Sequence, residues 1–194
     1  MTGRAGLEPR WQLGHGRRPE GLSEPLAGWL LDSASLTRRL KQACGGGFRV
    51  ALLGQRFERP LWSERRALGL ADTALALVRQ VHLLCDDQVK VYARSVMPLS
   101  LLHGSGRGLA HLGRRPLGER LFRDKTMRRS PMEVARIEPG DLFYDWAVPE
   151  GVAPDGPLWG RRSVFRLAGR PLLVNEIFLP PAPRAAGVRI KHKV

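Results

Sequence analysis

The sequence predicts an α+β domain built on antiparallel strands. Apolar runs of strand length are joined as hairpins, with Asp86–Asp87–Gln88 as one turn and Ala168–Gly169–Arg170 as another. Short helical segments are grouped between the hairpins, which is typical of helices segregated from an antiparallel sheet. The length of 194 residues fits one domain with a sizeable core.

The first part of the chain predicts an arm, two helices and a strand. Residues 1–21 are rich in Gly, Arg and Pro, so we expect a loose N-terminal arm. A short helix is predicted around Pro25–Leu31, and a second helix follows with Ser33 or Ser35 as its cap. A strand near Phe48–Phe57 comes next.

Two hairpins with short helices between them are predicted for the rest of the chain. The connection around Ser63–Leu70 is polar and partly helical. The remaining predicted elements are the strands Val78–Cys85 and Val89–Met97, the short helices Leu109–Leu112 and Pro116–Phe122, and the strands Ser163–Leu167 and Pro171–Leu179.

Glu176 is a candidate functional residue because it interrupts the last apolar strand. Side chains alternate between faces along a strand, so Glu176 shares a face with Leu172, Val174 and Phe178. A carboxylate on a buried face must be paired or have a raised pKa. The alternative is an edge strand that leaves Glu176 in water.

Arg79 occupies a similar place in the first hairpin. The same alternation puts it beside Val81 and Leu83 on an apolar face. Because arginine stays protonated, a buried guanidinium needs a partner, and its planar shape suits a carboxylate. That partner could be Glu176, in a structural ion pair, or the carboxylate of a ligand.

Two predicted helix starts offer further hydrogen-bond donors. With Pro116 at the first helical position, the N–H of Leu117 falls in a first turn that has no intrahelical acceptor. The helix that contains Leu36 begins in the same way after its serine cap. Free N–H groups at a helix start favour an anion, although ordinary capping without a ligand is the alternative.

Five sequence segments, taken in their order and spacing, resemble the chorismate pyruvate-lyase family. The resemblance runs from about Leu26 to Pro183. The segments that carry it are Arg94–Ser95–Val96–Met97–Pro98, Pro116–Leu117–Gly118 with Leu121–Phe122, Leu158–Trp159–Gly160–Arg161–Arg162–Ser163, Arg166–Leu167–Ala168–Gly169–Arg170–Pro171–Leu172–Leu173 and Glu176–Ile177–Phe178–Leu179–Pro180.

The resemblance implies a fold, a reaction and a site. The implied fold is a single antiparallel sheet with helical flaps that close over a buried ligand. The implied enzyme is a lyase that converts chorismate to 4-hydroxybenzoate and pyruvate, the first committed step of ubiquinone biosynthesis, without a metal or an organic cofactor. The family's arginine and glutamate fall on Arg79 and Glu176, and its backbone contacts fall on Leu36 and Leu117. The family usually has methionine where Leu36 stands, a change that a backbone contact tolerates.

The resemblance also divides the chain. Residues 22–183 form the expected lyase-like domain, and residues 184–194 form a basic C-terminal tail. The connection 137–157 is longer than is usual in the family. Its Pro and Gly residues predict a loop, while Leu142, Phe143, Tyr144 and Trp146 indicate that part of it packs.

Composition bears on partners and location. The formal net charge of +14 could attract nucleic acid or anionic lipid, but the charge is spread along the chain, so we expect no nucleic-acid partner. No apolar run predicts stable membrane insertion, and residues 1–6 lack the start of a signal peptide. Cys44 and Cys85 form neither a zinc motif nor a disulfide framework, which predicts a reducing cytoplasm. We expect a monomer.

A second class of function shares the implied fold. The effector-binding domains of some bacterial transcription regulators look similar to the lyase fold, and such a domain would bind an aromatic acid without converting it. No helix-turn-helix precedes the matched region in this sequence, which favours the enzyme.

Overall fold

A single antiparallel sheet organises the structure, which is a computed structural model describing residues 7–14, 18–104 and 106–183. The spatial order of its strands is β1-β6-β7-β8-β4-β3-β2, and β5 pairs with β7 off this path. The strands in the described residues are β1 (Gln12–Leu13), β2 (Phe48–Glu58), β3 (Ala76–Cys85), β4 (Gln88–Pro98), β5 (Arg128–Arg129), β6 (Glu133–Ile137), β7 (Leu158–Leu167) and β8 (Arg170–Phe178). The predicted α+β class with one antiparallel sheet is confirmed.

Helices cover both faces of this sheet. They are α1 (Glu24–Leu30), α2 (Leu36–Ala43), α3 (Trp62–Leu68), α4 (Leu99–Leu102), α5 (Leu117–Arg123) and α6 (Leu142–Ala147), with a 3-10 turn at Arg107–His111. One face packs against α1, α2 and α5, and the opposite face packs against α3 and α6. We call residues 24–43 the first flap and residues 107–123 the second flap.

This two-sided cover explains why β8 is apolar on both faces. Val174 and Phe178 pack on the flap side, while Leu173 and Ile177 pack on the side of α3 and α6. Strand β8 lies between β4 and β7 in the middle of the sheet. The edge-strand alternative for Glu176 is therefore wrong, and its side chain lies on the face that the flaps cover.

The starts of α2 and α5 are set by local sequence. Ser35 is the cap of α2, and its hydroxyl accepts a hydrogen bond from the N–H of Arg38 at 3.4 Å. Pro116 is the cap of α5 and not its first helical residue, because its ψ of 130° is extended. The first helical residues are thus Leu36 and Leu117.

Residues 7–14 pack against the domain, so the predicted loose arm does not describe this part of 1–21. Strand β1 pairs with β6, and the ring of Trp11 meets Phe143 edge-on at 5.8 Å. The Glu8 carboxylate accepts hydrogen bonds from the N–H groups of Trp62 and Ser63, both at 2.9 Å. Composition misled here because one partly buried tryptophan and one helix-capping glutamate hold this segment on the domain despite its Gly and Arg residues. Residues 1–6, 15–17 and the tail 184–194 lie outside the described residues.

The long connection 137–157 contains α6, as its apolar residues indicated. Phe143 and Ala147 are fully buried against the sheet. Trp146 lies over the guanidinium of Arg94, with 4.8 Å between the ring centroid and Cζ. This connection therefore builds the face opposite the flaps. None of the described helices has the length and apolar character needed to cross a lipid bilayer.

A disulfide joins Cys44, directly after α2, to Cys85 at the end of β3, with the Cα atoms 5.2 Å apart. The expectation of two cysteines without a framework was wrong. The two residues are 41 positions apart in sequence, and only the packing of the first flap on β3 brings them together.

Candidate active site

A cavity lies between the sheet and the starts of α2 and α5. The space between its lining atoms amounts to about 510 Å³, a figure that includes space open to solvent. Most of its wall is apolar, contributed by Leu36, Val50, Val81, Leu83, Ala93, Pro116, Leu117, Leu121, Phe122, Phe165 and Val174. Arg79 and Glu176 are the charged side chains in the lining, so all four predicted site residues border one cavity.

Arg79 enters the cavity from β3 and is 1% exposed. Its Nη2 donates to the carbonyl oxygens of Gly113 at 2.9 Å and Arg115 at 3.1 Å, while the buried Nε has no hydrogen-bond partner among the described residues. Burial lowers the pKa of the Arg79 guanidinium to about 10, which leaves it cationic at neutral pH. The group is thus a buried cation with no carboxylate partner in the described chain, a strong attractor for an anion.

Glu176 is held by an arginine that the sequence reasoning did not single out. Its Oε2 accepts a hydrogen bond from the Nε of Arg161 at 2.6 Å, and its side chain is 18% exposed. No described donor reaches the other carboxylate oxygen, Oε1. The proposed structural ion pair between Arg79 and Glu176 is therefore absent among the described contacts, and Arg161 takes the place of Arg79.

Register explains why Arg161 and not Arg79 meets Glu176. Arg161 lies directly opposite Glu176 on the neighbouring strand β7. Arg79 is on β3, with the whole of β4 between it and β8, which places the Cα atoms of Arg79 and Glu176 about 12 Å apart. The predicted three-residue turn at 168–170 would pair Leu167 with Pro171 and set Arg162 opposite Glu176. The observed turn is one residue shorter, pairs Leu167 with Arg170 and thereby sets Arg161 opposite Glu176.

Leu36 and Leu117 contribute the starts of the two flap helices. Each is the first residue of its helix, where an N–H has no intrahelical acceptor, and each borders the cavity. The two starts approach closely, since a Cβ added to Gly118 would come within 2.7 Å of the Thr37 hydroxyl. Glycine at 118 lets the flaps meet over the cavity, and a salt bridge between Lys41 and Glu119 joins them further out.

The arrangement can bind an aromatic or cyclic acid. A cation lies towards one end of an apolar cavity, and a carboxylate with one unpaired oxygen lies towards the other. A domain with this cavity can enclose a small ligand that carries an anionic group at one point and a hydrogen-bond donor at another.

Comparison with known proteins gives the family. Residues 16–185 match the chorismate lyase family, and the chain belongs to that family. A relative named "Probable chorismate pyruvate-lyase" from Methylococcus capsulatus is 49% identical over 152 residues, which are 78% of this chain and 93% of the relative. A relative with the same name from Thiobacillus denitrificans is 44% identical over 170 residues, 87% of this chain and 90% of the relative. The resemblance predicted from the sequence is confirmed.

Solved structures of similar fold are more distant. The ligand-binding domain of a protein assigned to the GntR family of transcriptional regulators, from Bordetella bronchiseptica, superposes with a TM-score of 0.52. It is 17% identical, and the match covers 72% of this chain and 89% of that domain. At this identity the likeness concerns the fold alone.

Proposed function

We propose that this protein converts chorismate to 4-hydroxybenzoate and pyruvate in the cavity between the sheet and the flaps. The observation that carries this proposal is the placement of Arg79 and Glu176 at separate points of one apolar cavity in a member of the chorismate lyase family. In the family, the reaction opens the route to ubiquinone.

The ligand carboxylate is assigned to Arg79, with the N–H groups of Leu36 and Leu117 completing the anion site. A hydrogen bond to a charged group contributes roughly 1.5–3 kcal/mol to binding. Because Nη2 already donates to two carbonyls, the donors that remain on Arg79 are Nε and Nη1. A bidentate grip through Nε and Nη2 requires one of the carbonyls to be released, which would move the segment 113–115.

The ring hydroxyl is assigned to Glu176. Its Oε1 is the unpaired oxygen, so it accepts a hydrogen bond from the ring hydroxyl while Oε2 stays on Arg161. In the reaction the ether bond to the enolpyruvyl group breaks, and a hydrogen leaves the ring carbon that bears the hydroxyl. The departing side chain gains a hydrogen at its methylene carbon and becomes pyruvate, and the ring becomes aromatic. Aromatisation supplies the driving force, so the protein contributes mainly positioning and charge stabilisation.

All four assigned residues come from one chain, which supports a monomer as the working unit. A cytoplasmic location stays a prediction, but the cysteines no longer support it, because Cys44 and Cys85 form a disulfide. Cell fractionation with detection of this chain would test it.

The reaction is tested by mixing the purified protein with chorismate in EDTA and following both products together. The proposal predicts that pyruvate and 4-hydroxybenzoate appear in equal amounts and at equal rates. Tight binding of 4-hydroxybenzoate with no release of pyruvate would overturn it and would indicate a sensor of the same fold.

A further inference from the structure

We propose that Arg161 is a positioning residue that aims the free oxygen of Glu176 at the ligand hydroxyl and couples this contact to the first flap. The inference rests on the proposed function, since it assigns the hydroxyl of 4-hydroxybenzoate to Glu176. Arg161 itself borders neither the cavity nor, by this assignment, the ligand.

Arg161 and Glu176 form a close pair across two neighbouring strands. Arg161 and Glu176 are directly opposite on β7 and β8, and a single 2.6 Å hydrogen bond from Nε engages only Oε2. The guanidinium is 2% exposed, so water does not screen the contact. With one oxygen fixed in this way, the direction of Oε1 is fixed as well.

Backbone carbonyls of the first flap hold the guanidinium of Arg161. Its Nη1 donates to three carbonyl oxygens, of Trp29 at 3.0 Å, Leu30 at 3.3 Å and Asp32 at 2.6 Å. These carbonyls belong to the end of α1 and the residues after it, where a helix leaves carbonyls without intrahelical donors. The position of Arg161 is therefore determined by the backbone of the first flap.

The backbone that holds Arg161 leads to the lining of the cavity. The same connection runs on to Leu36 at the start of α2, and Arg129 holds it through a 2.8 Å bond to the carbonyl of Ser33. A displacement of this connection moves Arg161 and thereby Glu176. Arg79 has the matching relationship to the second flap, through the carbonyls of Gly113 and Arg115. Arg79 thus links the ligand carboxylate to the second flap. Arg161, acting through Glu176, links the ligand hydroxyl to the first flap.

The test compares two ligands that differ only in the hydroxyl, 4-hydroxybenzoate and benzoate. Calorimetry gives the affinity of each, and their ratio isolates the contact with Glu176. We expect the wild-type protein to favour 4-hydroxybenzoate by about 10-fold or more, as a hydrogen bond to a charged group implies. In Arg161→Gln the ratio should fall to about 3-fold or less, while benzoate binding changes little.

Arg129→Gln is the matched control. It removes a partly buried arginine of β5 that contacts the same connection. Arg129 donates to Ser163 and Ser33 and makes no hydrogen bond to Glu176, so it acts on that carboxylate through its charge alone. Its ligand ratio should stay near the wild-type value. Arg161→Lys keeps the charge but cannot reach Glu176 and the carbonyls together, so its ratio should lie between those of the wild type and Arg161→Gln. If Arg161→Gln does not fold, the affinity ratio measured for Arg161→Lys tests the inference in its place.

An unchanged ratio in a folded Arg161 variant, or an equal loss of ratio in Arg129→Gln, would overturn the inference. A structural role alone would weaken both ligands together and leave the ratio as it was. The proposed function fails separately, if the wild-type protein binds neither ligand or does not convert chorismate.

Discussion

Arg79 and Glu176 face the same cavity from β3 and β8, and the whole of β4 lies between them. Each is held by other groups: Arg79 by two backbone carbonyls, and Glu176 by Arg161. The two charges therefore do not neutralise each other, and most of the cavity wall around them is apolar. This separation leaves a cation and a carboxylate available to the two ends of one cyclic ligand.

Glu176→Gln should lower kcat/KM for chorismate by about 100-fold, equivalent to about 2.7 kcal/mol, because the amide accepts from the ring hydroxyl more weakly than the carboxylate. The matched control is Glu133→Gln. Glu133 pairs with Arg162 at 2.7 Å. Arg162 follows Arg161 on β7, so this pair lies on the opposite face of the sheet from Glu176. This control should stay within about 3-fold of wild-type kcat/KM. Full activity in Glu176→Gln would remove Glu176 from the mechanism.

Benzoate binding should be independent of pH from 7 to 9 and should weaken above pH 10. Burial lowers the pKa of Arg79 to about 10 in the free protein, and a bound carboxylate stabilises the cation and raises that pKa in the complex. Above the pKa of the free protein, binding must take up a proton, so affinity falls by up to about tenfold per pH unit. Calorimetry at each pH measures the affinity for benzoate, and circular dichroism at the same pH checks that the protein is folded.

Arg79→Gln is the control for the pH experiment. It should bind benzoate weakly and show no fall in affinity at pH 10 to 11. Wild-type affinity that stays constant to pH 11, or wild-type affinity in Arg79→Gln, would contradict the assignment of the ligand carboxylate to this arginine.

Removal of the disulfide should destabilise the protein through its denatured state. The loop between Cys44 and Cys85 spans 41 residues, for which the chain-entropy relation gives about 4 kcal/mol at 25 °C. Urea unfolding of the double variant Cys44→Ala/Cys85→Ala should show a loss of this order relative to the oxidised protein. Dithiothreitol should destabilise the wild type and leave the variant unchanged, whereas a wild type that does not respond to the reductant would speak against the bond.

Glu64→Gln should destabilise the fold without weakening ligand binding. Glu64 is fully buried and pairs with Arg94 through bonds of 2.9 and 3.1 Å, on the face away from the cavity. Arg94 keeps a second carboxylate partner, Glu58 at 3.0 Å, so its charge is not left unpaired, and we expect a loss of about 1.5–3 kcal/mol, as for a hydrogen bond to a charged group. The exposed pair Arg136–Glu138 offers the control, since Glu138→Gln should cost about 1 kcal/mol at most. If Glu64→Gln and Glu138→Gln had equal urea midpoints, the buried pair of Glu64 and Arg94 would not stabilise the fold more than the exposed pair, contrary to this prediction.

Strand periodicity was sufficient to place Arg79 and Glu176 on apolar faces, because alternation depends only on residue number. It could not decide which partner each would have. That depends on strand order, and β4 lies between β3 and β8 although it follows β3 directly in the chain. The partner of Glu176 was missed for two reasons: the predicted strand began at Ser163, two residues after Arg161, and the predicted turn was one residue longer than the observed one.

Contacts made by irregular segments escaped the sequence analysis for a different reason. The carbonyls that hold Arg79 and Arg161 belong to the backbone of the flaps, and any residue type supplies a carbonyl. The disulfide and the packing of Trp11 likewise depend on distant segments meeting, which no local pattern records.

The most direct measurement is a crystal structure of the protein with 4-hydroxybenzoate. We predict that the ring lies in the cavity under the two flaps, with its carboxylate on Arg79 and its hydroxyl within hydrogen-bond distance of Glu176 Oε1. A ligand bound in another groove, or bound in this cavity with its carboxylate turned away from Arg79, would contradict the account.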